Sequence, residues 1–579
     1  MSAENYVPVC DLADLEAEGR TVVQENGQAI ALFFHEEEVY AVDNRCPHMG
    51  FPLTRGTVDE GILTCHWHHA RFELEKGDTF DPWADDVQTF PVDIRDDQVY
   101  LDPDPEPTVP PSTRWRNRLA DGLQENLSLV QAKSVIGLDE HGDGFYTPVE
   151  TAVNFGTKYR ASGWGRGLTT LSYMAELYDD VGGRDKRRAM FAGVREVADN
   201  VAGEAPRFQQ YAFENRELSK ERLKSWFRDN CEVRDADGAE RTLLTAIEAL
   251  PPAEVVEILV AAATDHLYMN SSHTLDFINS ALATLEHLGW EEHAEPVLAS
   301  TVPQLTDATR SEELSSWRQP VDIAELCFDA HDRLDSLVAA GEGKEWEEPE
   351  GFVETLLSED AEAIIDALCD AIADGATQEE LTDAVARAAT RRVAYFATNN
   401  EFNDWDTVHH TFVYANAAHE LAHRTDATEI YRACFDGAMS VYLDRFLNSP
   451  RAPEPTPVET GREPEDIRSD LLDTFDEQGE VNRAGRLVAE HFEAGGDPAD
   501  LKRILGRGLL REDADFHTFQ NVSGAFRRFD ALDDDEERRY ALVAGARYLA
   551  AHTPTNREHE QTFSIATRLH RGERLHEAE

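Results

Sequence analysis

The sequence predicts a multidomain protein in which an N-terminal all-β domain is followed by a large, mostly all-α region. Three observations predict this fold class. Short strand-like runs separated by turn residues fill the chain up to about residue 103, a proline-rich segment follows, and long runs with helical periodicity occupy the rest. A chain of 579 residues is long enough to form several domains with cores of their own.

The β domain is predicted from short runs rich in β-branched and aromatic residues. These runs are TVVQ, AIALFF, EVYAV, GILTC and QVYLD, and Gly, Asp and Asn residues separate them. We assign residues 1–103 to this domain. Residues 104–113 are dense in proline, which favours an extended chain, so we interpret them as a linker.

The α region is predicted from runs such as AEVVEILVAAATDHLYM and RRYALVAGARYLAAH, whose apolar residues recur three or four positions apart. A second proline-rich and acidic segment interrupts this pattern near residue 450. We therefore predict a helical domain at residues 114–447, a linker at 448–466 and a C-terminal helical segment at 467–579.

The chain is strongly acidic, with 54 Lys and Arg against 113 Asp and Glu and a formal net charge of −59. Such a surface repels phosphate backbones and anionic lipid heads, so we expect neither nucleic acid nor a membrane as a partner. Eight of the basic residues are lysines, and this arginine bias resembles the halophilic composition of salt-in proteins. Because 41% of the residues are hydrophobic, we predict a folded, salt-requiring protein rather than a disordered one.

The N-terminal sequence MSAENYVPVC has neither a basic segment nor an apolar core, so no secretory signal is predicted. No run approaches the roughly 18 apolar residues that a membrane-spanning helix needs. Seven cysteines are too few for a disulfide scaffold in a chain of this length. These observations predict a cytoplasmic protein.

Two short motifs in the β domain combine cysteine and histidine. The first is Cys46-Pro47-His48, and the second, after sixteen intervening residues, is Cys65-His66-Trp67-His68. Two thiolates and two imidazoles on neighbouring loops can bind an iron–sulfur cluster of the type with two histidine ligands. A tetrahedral zinc site with two cysteines and two histidines, or two unrelated loops, are the alternatives.

The stretches CPHMGFPLTRG and CHWHHARFELEKGDTFDPW resemble the cluster loops of the Rieske ferredoxin family, and the resemblance covers about residues 5–103. It implies a [2Fe-2S] cluster with Cys46 and Cys65 on one iron and His48 and His68 on the other. His68 is chosen over its histidine neighbours because the second motif of the family is C-x-x-H. The resemblance also implies a third, proline-containing loop at residues 77–82.

Two departures from the family pattern are informative. Phe51 and Trp67 stand where high-potential Rieske proteins have two further cysteines, so the disulfide of those relatives cannot form here. The domain is therefore similar to the soluble ferredoxin and oxygenase-type branch, with a potential in the lower part of the Rieske range. His69 stands where many relatives have glycine, and this affects the local turn.

A Rieske-type oxygenase would need a mononuclear iron site in the α region, with two histidines and a carboxylate. Asp406-Thr407-Val408-His409 begins the expected pattern, but Tyr414 and Ala415 stand where the second histidine belongs. We therefore treat an oxygenase as a minor alternative.

A second pattern is His419-Glu420-Leu421-Ala422-His423, an H-E-x-x-H sequence on a predicted helix. It would place two histidines on one helix face, where they could bind zinc. Arg424 follows directly and no third ligand is evident, so we favour a polar helix face.

A faint internal repeat places three histidines in similar contexts. His273 and His410 share the pattern H-T-[LF]-x-[FY]-x-N-x-A, and His517 begins a shorter copy. Equivalent positions on duplicated helices could meet at one metal or substrate pocket, and His266 would lie on the same face as His273. Because a threonine follows each of the three histidines, we favour a structural role in helix packing and capping.

Together these patterns predict a Rieske electron-transfer protein. We expect it to be an oxidoreductase component that delivers single electrons to the helical domain or to a docked partner, with a ferredoxin or a reductase as redox partner. The alternative is a redox-responsive binding module, or sensor, with a non-catalytic helical domain. The substrate and the oligomeric state stay open at this point.

Overall fold

The computed structural model describes residues 5–214, 217–456 and 461–575. It confirms the predicted fold class, with a small N-terminal β region followed by a mostly helical region. The nine strands, β1 to β9, are Val7–Asp11, Arg20–Glu25, Gln28–His35, Glu38–Asp43, Thr57–Asp59, Ile62–Thr64, Arg71–Glu73, Val92–Arg95 and Gln98–Leu101.

The strands form three antiparallel sheets of three strands each, in the orders β1-β9-β8, β2-β3-β4 and β5-β6-β7. Alternating apolar residues of β3 and β4 point to opposite faces of their sheet and fill two buried cores, so both faces of the sheet are covered. Cys46 and Cys65 are themselves part of one of these cores, together with Leu63, Phe72 and their neighbours. The packing of both cysteines in this core therefore holds the two loops that bear them in place.

The helices α1 to α25 account for most of the remaining chain. They are Leu12–Glu18, Pro111–Gln124, Ser128–Glu140, Tyr146–Lys158, Arg166–Leu177, Arg184–Val201, Lys220–Glu232, Ala236–Ala249, Pro252–Ala263, His273–Leu288, Trp290–Ala299, Pro303–Thr306, Ser315–Arg318, Ile323–Gly341, Phe352–Leu356, Ala361–Ala373, Gln378–Ala394, Phe402–Ala422, Ile430–Asp444, Pro464–Thr474, Val481–Glu493, Pro498–Leu510, Phe516–Ala531, Asp535–Ala551 and Glu558–His570. Among the described residues, no helix is both long enough and apolar enough to cross a bilayer.

The chain divides into two compact units, residues 1–151 with 559–579, and residues 152–558. The first unit therefore extends beyond the boundaries expected at residues 103 and 113, and it takes in the end of the segment expected at 467–579. The reason is packing between distant parts of the sequence. Arg45 donates a 3.1 Å hydrogen bond to the carbonyl of Leu569, and Arg118 on α2 pairs with the buried Asp85 at 3.2 Å.

The second unit is built around helix α18, Phe402–Ala422, which contacts α10, α17, α19 and α23. Because neighbours surround it, α18 is buried along most of its length rather than on one stripe. Helices α10 and α23 each begin beside it, with His273 as the first residue of α10 and His517 as the second residue of α23. This arrangement brings the repeated histidines to one region of the unit.

Candidate metal centre

Two turns carry the cysteine and histidine motifs of the β region. In the first, after β4, the Cys46 amide donates to the carbonyl of Phe51 and the Gly50 amide donates to the carbonyl of Cys46, each at 2.8 Å. Gly50 has a φ of +84°, a conformation that glycine adopts at little cost. In the second, between β6 and β7, the Cys65 amide donates to the carbonyl of Ala70 at 2.8 Å.

The two thiols lie side by side in the core, with 2% and 1% of Cys46 and Cys65 exposed. A hydrogen bond between them lowers the pKa of Cys65 to about 6, and the same bond together with burial raises the pKa of Cys46. Two adjacent sulfur atoms are thus available to bind a cation as thiolates.

The two histidines of the motifs, His48 and His68, also lie next to each other. The rings of His48 and His68 have centroids 4.8 Å apart and are nearly perpendicular, at 79°. His48 is half-buried, and its Nδ1 is a buried atom with no hydrogen-bond partner among the described residues. Burial, with smaller contributions from His68 and Lys133, lowers the pKa of His48 to about 4, so the ring is neutral and can act as a ligand.

Aromatic rings surround the imidazole pair. The centroid of Trp83 lies 4.7 Å from His48, that of Trp67 lies 4.4 Å from His68, and Phe51 and Trp67 are 6.2 Å apart. His68 is exposed, in contrast to His48. One histidine of the pair thus reaches the surface, while apolar rings exclude water from the other.

A buried ion cluster that the sequence analysis missed supports the first turn. Asp85 is 5% exposed and pairs with Lys133 at 2.7 Å and with Arg118 at 3.2 Å. Burial opposes ionisation, but the two cations hold the pKa of Asp85 below its ordinary value. The Lys133 ammonium also donates a 2.7 Å hydrogen bond to the carbonyl of Pro47. Both cations come from helices outside the predicted β domain, so no local signal could have revealed them.

The third loop is held by a close backbone approach. Gly77 has a φ of +83°, and a Cβ atom at this position would lie 2.0 Å from the carbonyl oxygen of Val87. The Gly77 amide donates to Glu73, and its carbonyl accepts from Val87, both at 2.9 Å. Trp83 and Asp85 follow directly and are positioned by this turn.

The donor set of two paired thiols and two imidazoles, one with an unpartnered buried nitrogen, fits an iron–sulfur cluster with mixed ligands. The family model of the Rieske [2Fe-2S] domain matches residues 5–91. The ferredoxin component of a naphthalene 1,2-dioxygenase/salicylate 5-hydroxylase system from Ralstonia sp is 31% identical over 99 residues, which cover 17% of this chain and 95% of that protein. The chain belongs to the Rieske family. Its Rieske domain implies a [2Fe-2S] cluster.

Other proteins match the Rieske domain over the same limited span. Human apoptosis-inducing factor 3 is 34% identical over 94 residues, and the matched part is 16% of either chain. The ferredoxin of Sphingomonas yanoikuyae B1 is 30% identical, with a match over 17% of this chain and all of that one, at a TM-score of 0.17. No family model matches the helical region that follows the Rieske domain.

The neighbouring histidines of the second Rieske motif differ from His68. Both His66 and His69 are exposed, and His66 Nε2 lies 3.3 Å from the hydroxyl of Thr57. His69 has a φ of +65°, so the turn keeps the left-handed conformation for which glycine is the usual residue.

Outside the Rieske domain, the other histidines that the sequence analysis named as possible ligands lie in different surroundings. Both ring nitrogens of His409 are hydrogen-bonded, to Gln520 and Asn521 at 3.2 Å each, and Asp406 faces His517 instead. His266 is held between Glu232 and Glu312 at 2.6 and 2.7 Å.

The H-E-x-x-H pair, His419 and His423, has ring centroids 4.8 Å apart. His419 Nδ1 is 3.2 Å from the hydroxyl of Thr382, and His423 is exposed near Glu379. In contrast, the ligand-type atoms of His273, His410 and His517 do lie together, all within 4.8 Å of one another.

Proposed function

We propose that this chain is a one-electron carrier whose [2Fe-2S] cluster is bound by Cys46 and Cys65 on one side and by His48 and His68 on the other. The observation that carries the proposal is the pairing of two buried thiols that are hydrogen-bonded to each other with two adjacent imidazoles, one half-buried and one exposed. When bound, such a cluster supplies reversible one-electron transfer.

The residues of the domain then have separate tasks. The core around the cysteines excludes water from the sulfur side, and the exposed ring of His68 provides the route by which an electron enters or leaves. Lys133 places a buried positive charge against the first turn, which favours the reduced, more negative form of the centre. The resemblance to the soluble ferredoxin and oxygenase-type branch, which lacks the disulfide, supports a potential toward the lower part of the Rieske range.

We infer that the electron comes from a reductase or another ferredoxin and passes to the helical region or to a docked partner. Matched relatives that are the ferredoxin components of oxygenase systems support this role. The acidic composition implies that the partner docks through short-range contacts around His68, because salt screens long-range steering. We place the protein in the cytoplasm, on the sequence pattern alone.

Electron delivery is tested with the full chain under nitrogen. The protein is reduced with dithionite, desalted and mixed with excess ferric cytochrome c. We expect one cytochrome c reduced per chain beyond the amount that Cys65→Ala reduces, with His66→Ala matching the wild type. Equal yields from the wild type and Cys65→Ala would overturn the proposal. A cluster that takes up an electron and changes partner binding, but passes none on, would instead identify a sensor.

A further inference from the structure

Three histidines that are far apart in the sequence meet in the second compact unit. His273 begins α10, His410 lies within α18, and His517 stands near the start of α23. One potential ligand atom from each lies within 4.8 Å of the other two. Their side chains are neither fully buried nor fully exposed, and 20% of the side chain of both His273 and His517 is accessible.

The separation of two of the ring nitrogens fits a single ion. His410 Nε2 and His517 Nε2 are 3.2 Å apart. Two nitrogens bound to one tetrahedral metal ion, at about 2.1 Å each, would lie about 3.4 Å apart. The rings of His273 and His410 meet at 81° with centroids 4.7 Å apart, and the ring of His410 meets that of His517 at 78° and 4.9 Å. The ring plane of His410 thus differs in direction from those of His273 and His517, which are nearly parallel, at 4° with centroids 5.6 Å apart.

A carboxylate fixes the orientation of His517. Asp406 Oδ1 lies 3.3 Å from His517 Nδ1, and it also accepts a 2.8 Å hydrogen bond from the hydroxyl of Tyr548. With Nδ1 of His517 facing this carboxylate, its other ring nitrogen, Nε2, points toward His410. This is the carboxylate–histidine arrangement that commonly supports metal ligands.

The surroundings of the other two histidines, His410 and His273, are also compatible with metal binding. The Nε2 atom of His410 faces that of His517, and its ring packs against the ring of His273. His273 Nδ1 is buried and has no hydrogen-bond partner among the described residues. By comparison, the adjacent His409 has both ring nitrogens occupied by side-chain amides. The amide partners thus mark His409 as structural, whereas His273 Nδ1 faces the carboxylate of Asp276 at 3.9 Å, beyond hydrogen-bond distance.

The backbone that presents His273 is strained. Tyr268, Asn270, Ser271 and Ser272 all have φ between +45° and +101°, although none is glycine. The Asn270 side chain anchors this segment by accepting from the Thr309 amide at 2.9 Å and donating to Thr274 at 2.9 Å. Strain of this kind persists where the surrounding structure enforces it, and it clusters at functional sites.

We propose that His273, His410 and His517 bind one divalent first-row transition-metal ion, with Asp406 as the positioning residue for His517. Three neutral imidazoles favour zinc or iron over the oxygen-preferring ions calcium and magnesium. Because the site is partly accessible, a fourth position would stay open for water or a small-molecule ligand, as in catalytic rather than structural metal sites. The rings of Phe277 and Phe516, which contact His273, form an apolar side to that position.

This proposal rests on residues of the second unit alone and is independent of the electron-transfer function. The competing interpretation is a hydrogen-bonded chain from Asp406 through His517 to His410 that binds no metal. The two differ in metal content, so the experiment uses the full-length protein and counts metal against acid-labile sulfide. Iron and sulfide present in equal numbers belong to the cluster. We expect about one further equivalent of iron or zinc per chain.

The variants His273→Gln and His517→Gln should each lose this extra equivalent and keep the sulfide content. His423→Ala, which changes an exposed histidine of the H-E-x-x-H pattern, is the matched control and should retain the metal. Circular dichroism checks that the variants are folded. Because there are two independent ligand variants, the test still holds if one of them fails to fold.

Co²⁺ then tests the site directly in EDTA-treated protein. One equivalent should bind with d–d absorption bands in the wild type and in His423→Ala, and Asp406→Asn should bind it about 10- to 100-fold more weakly. Wild-type protein that contains only cluster iron and shows no Co²⁺ bands would refute the site, as would equal binding in His517→Gln. Loss of metal in His423→Ala alone would indicate that the metal binds at the H-E-x-x-H pair, and this result would overturn the proposal.

Discussion

The ammonium group of Lys133 donates a 2.7 Å hydrogen bond to the backbone carbonyl of Pro47, the residue between Cys46 and His48. The same group lies 2.7 Å from the carboxylate of Asp85, and only 5% of Lys133 is exposed. A helix outside the β region thus holds the first turn of the candidate cluster site in place and supplies a buried positive charge beside it.

Replacing Lys133 with methionine should therefore weaken both the fold and the centre. Among the described residues, Asp85 would keep its ion pair with Arg118, and removal of one member of a buried ion cluster costs about 3–5 kcal/mol of unfolding free energy. The loss of a positive charge should also lower the midpoint potential. Denaturant unfolding followed by cluster absorbance, and a redox titration, measure the two effects. Lys76→Met, at an exposed lysine of the same domain, is the control and should change neither quantity; equal behaviour of the two variants would refute the role of Lys133.

Gly77→Ala should disrupt the third loop. A methyl group there would lie 2.0 Å from the carbonyl oxygen of Val87, in addition to the cost of a positive φ. The matched control is Gly61→Ala, where φ is also positive at +78° but no atom lies within 4 Å of the added carbon. Gly61→Ala should cost about 1 kcal/mol, and Gly77→Ala should cost several times more in thermal or denaturant unfolding. Similar losses of unfolding free energy in the two variants would show that the close approach to Val87 does not affect stability.

The candidate cluster site could be predicted because its signal is local. The C-x-H and C-x-x-H motifs lie on neighbouring turns, and the chemistry of thiolates and imidazoles at that spacing restricts the choices. Lys133 could not be predicted, because it is 86 residues from Pro47 and nothing nearby in the sequence distinguishes it from the other lysines. The same reason explains the shifted boundary of the first unit, which depends on contacts such as Arg45 with Leu569.

The repeated histidines illustrate an intermediate case. The shared H-T pattern drew attention to His273, His410 and His517, but the sequence favoured a packing role for each. Whether they converge depends on how α10, α18 and α23 cross, which periodicity does not determine. The partners that orient them, such as Asp406 for His517, are likewise set by tertiary structure.

Asp436 should make the stability of the helical unit depend on pH. This fully buried carboxyl accepts hydrogen bonds from the Tyr268 amide and the Tyr414 hydroxyl at 3.1 Å each, yet burial raises its pKa to about 7. Because the folded-state pKa lies above the unfolded value near 3.9, the native state binds the extra proton between about pH 4 and 7, and stability falls as the pH rises through this window.

Asp436→Asn removes this titration. When the pH rises from 5 to 8, the wild type should lose about 2–3 kcal/mol of unfolding free energy that the variant does not lose. Denaturant titrations at both pH values give the difference, and the other buried acids cancel because both proteins share them. A variant whose stability changes with pH in parallel with the wild type would contradict the raised pKa of Asp436.

The net charge of −59 should make folding depend on salt. Repulsion between carboxylates acts over a Debye length of about 8 Å at 0.15 M salt but only about 3 Å at 1 M. The unfolding temperature should therefore rise when KCl is increased from 0.15 to about 2 M. A protein of similar size and near-zero net charge, measured in the same buffers, corrects for the general effect of salt. An unfolding temperature that is constant or falls would contradict the salt-requiring interpretation.

The assignment of the four cluster ligands is tested most directly by electron paramagnetic resonance of the reduced full-length protein. The wild type should give the Rieske signal with one unpaired spin per chain. Cys65→Ala and His68→Ala should abolish that signal, because each removes a ligand, whereas His66→Ala and His69→Ala should retain it. A Rieske signal that survives in Cys65→Ala or His68→Ala, or one that disappears in His66→Ala while the protein stays folded, would contradict the ligand set proposed for this chain.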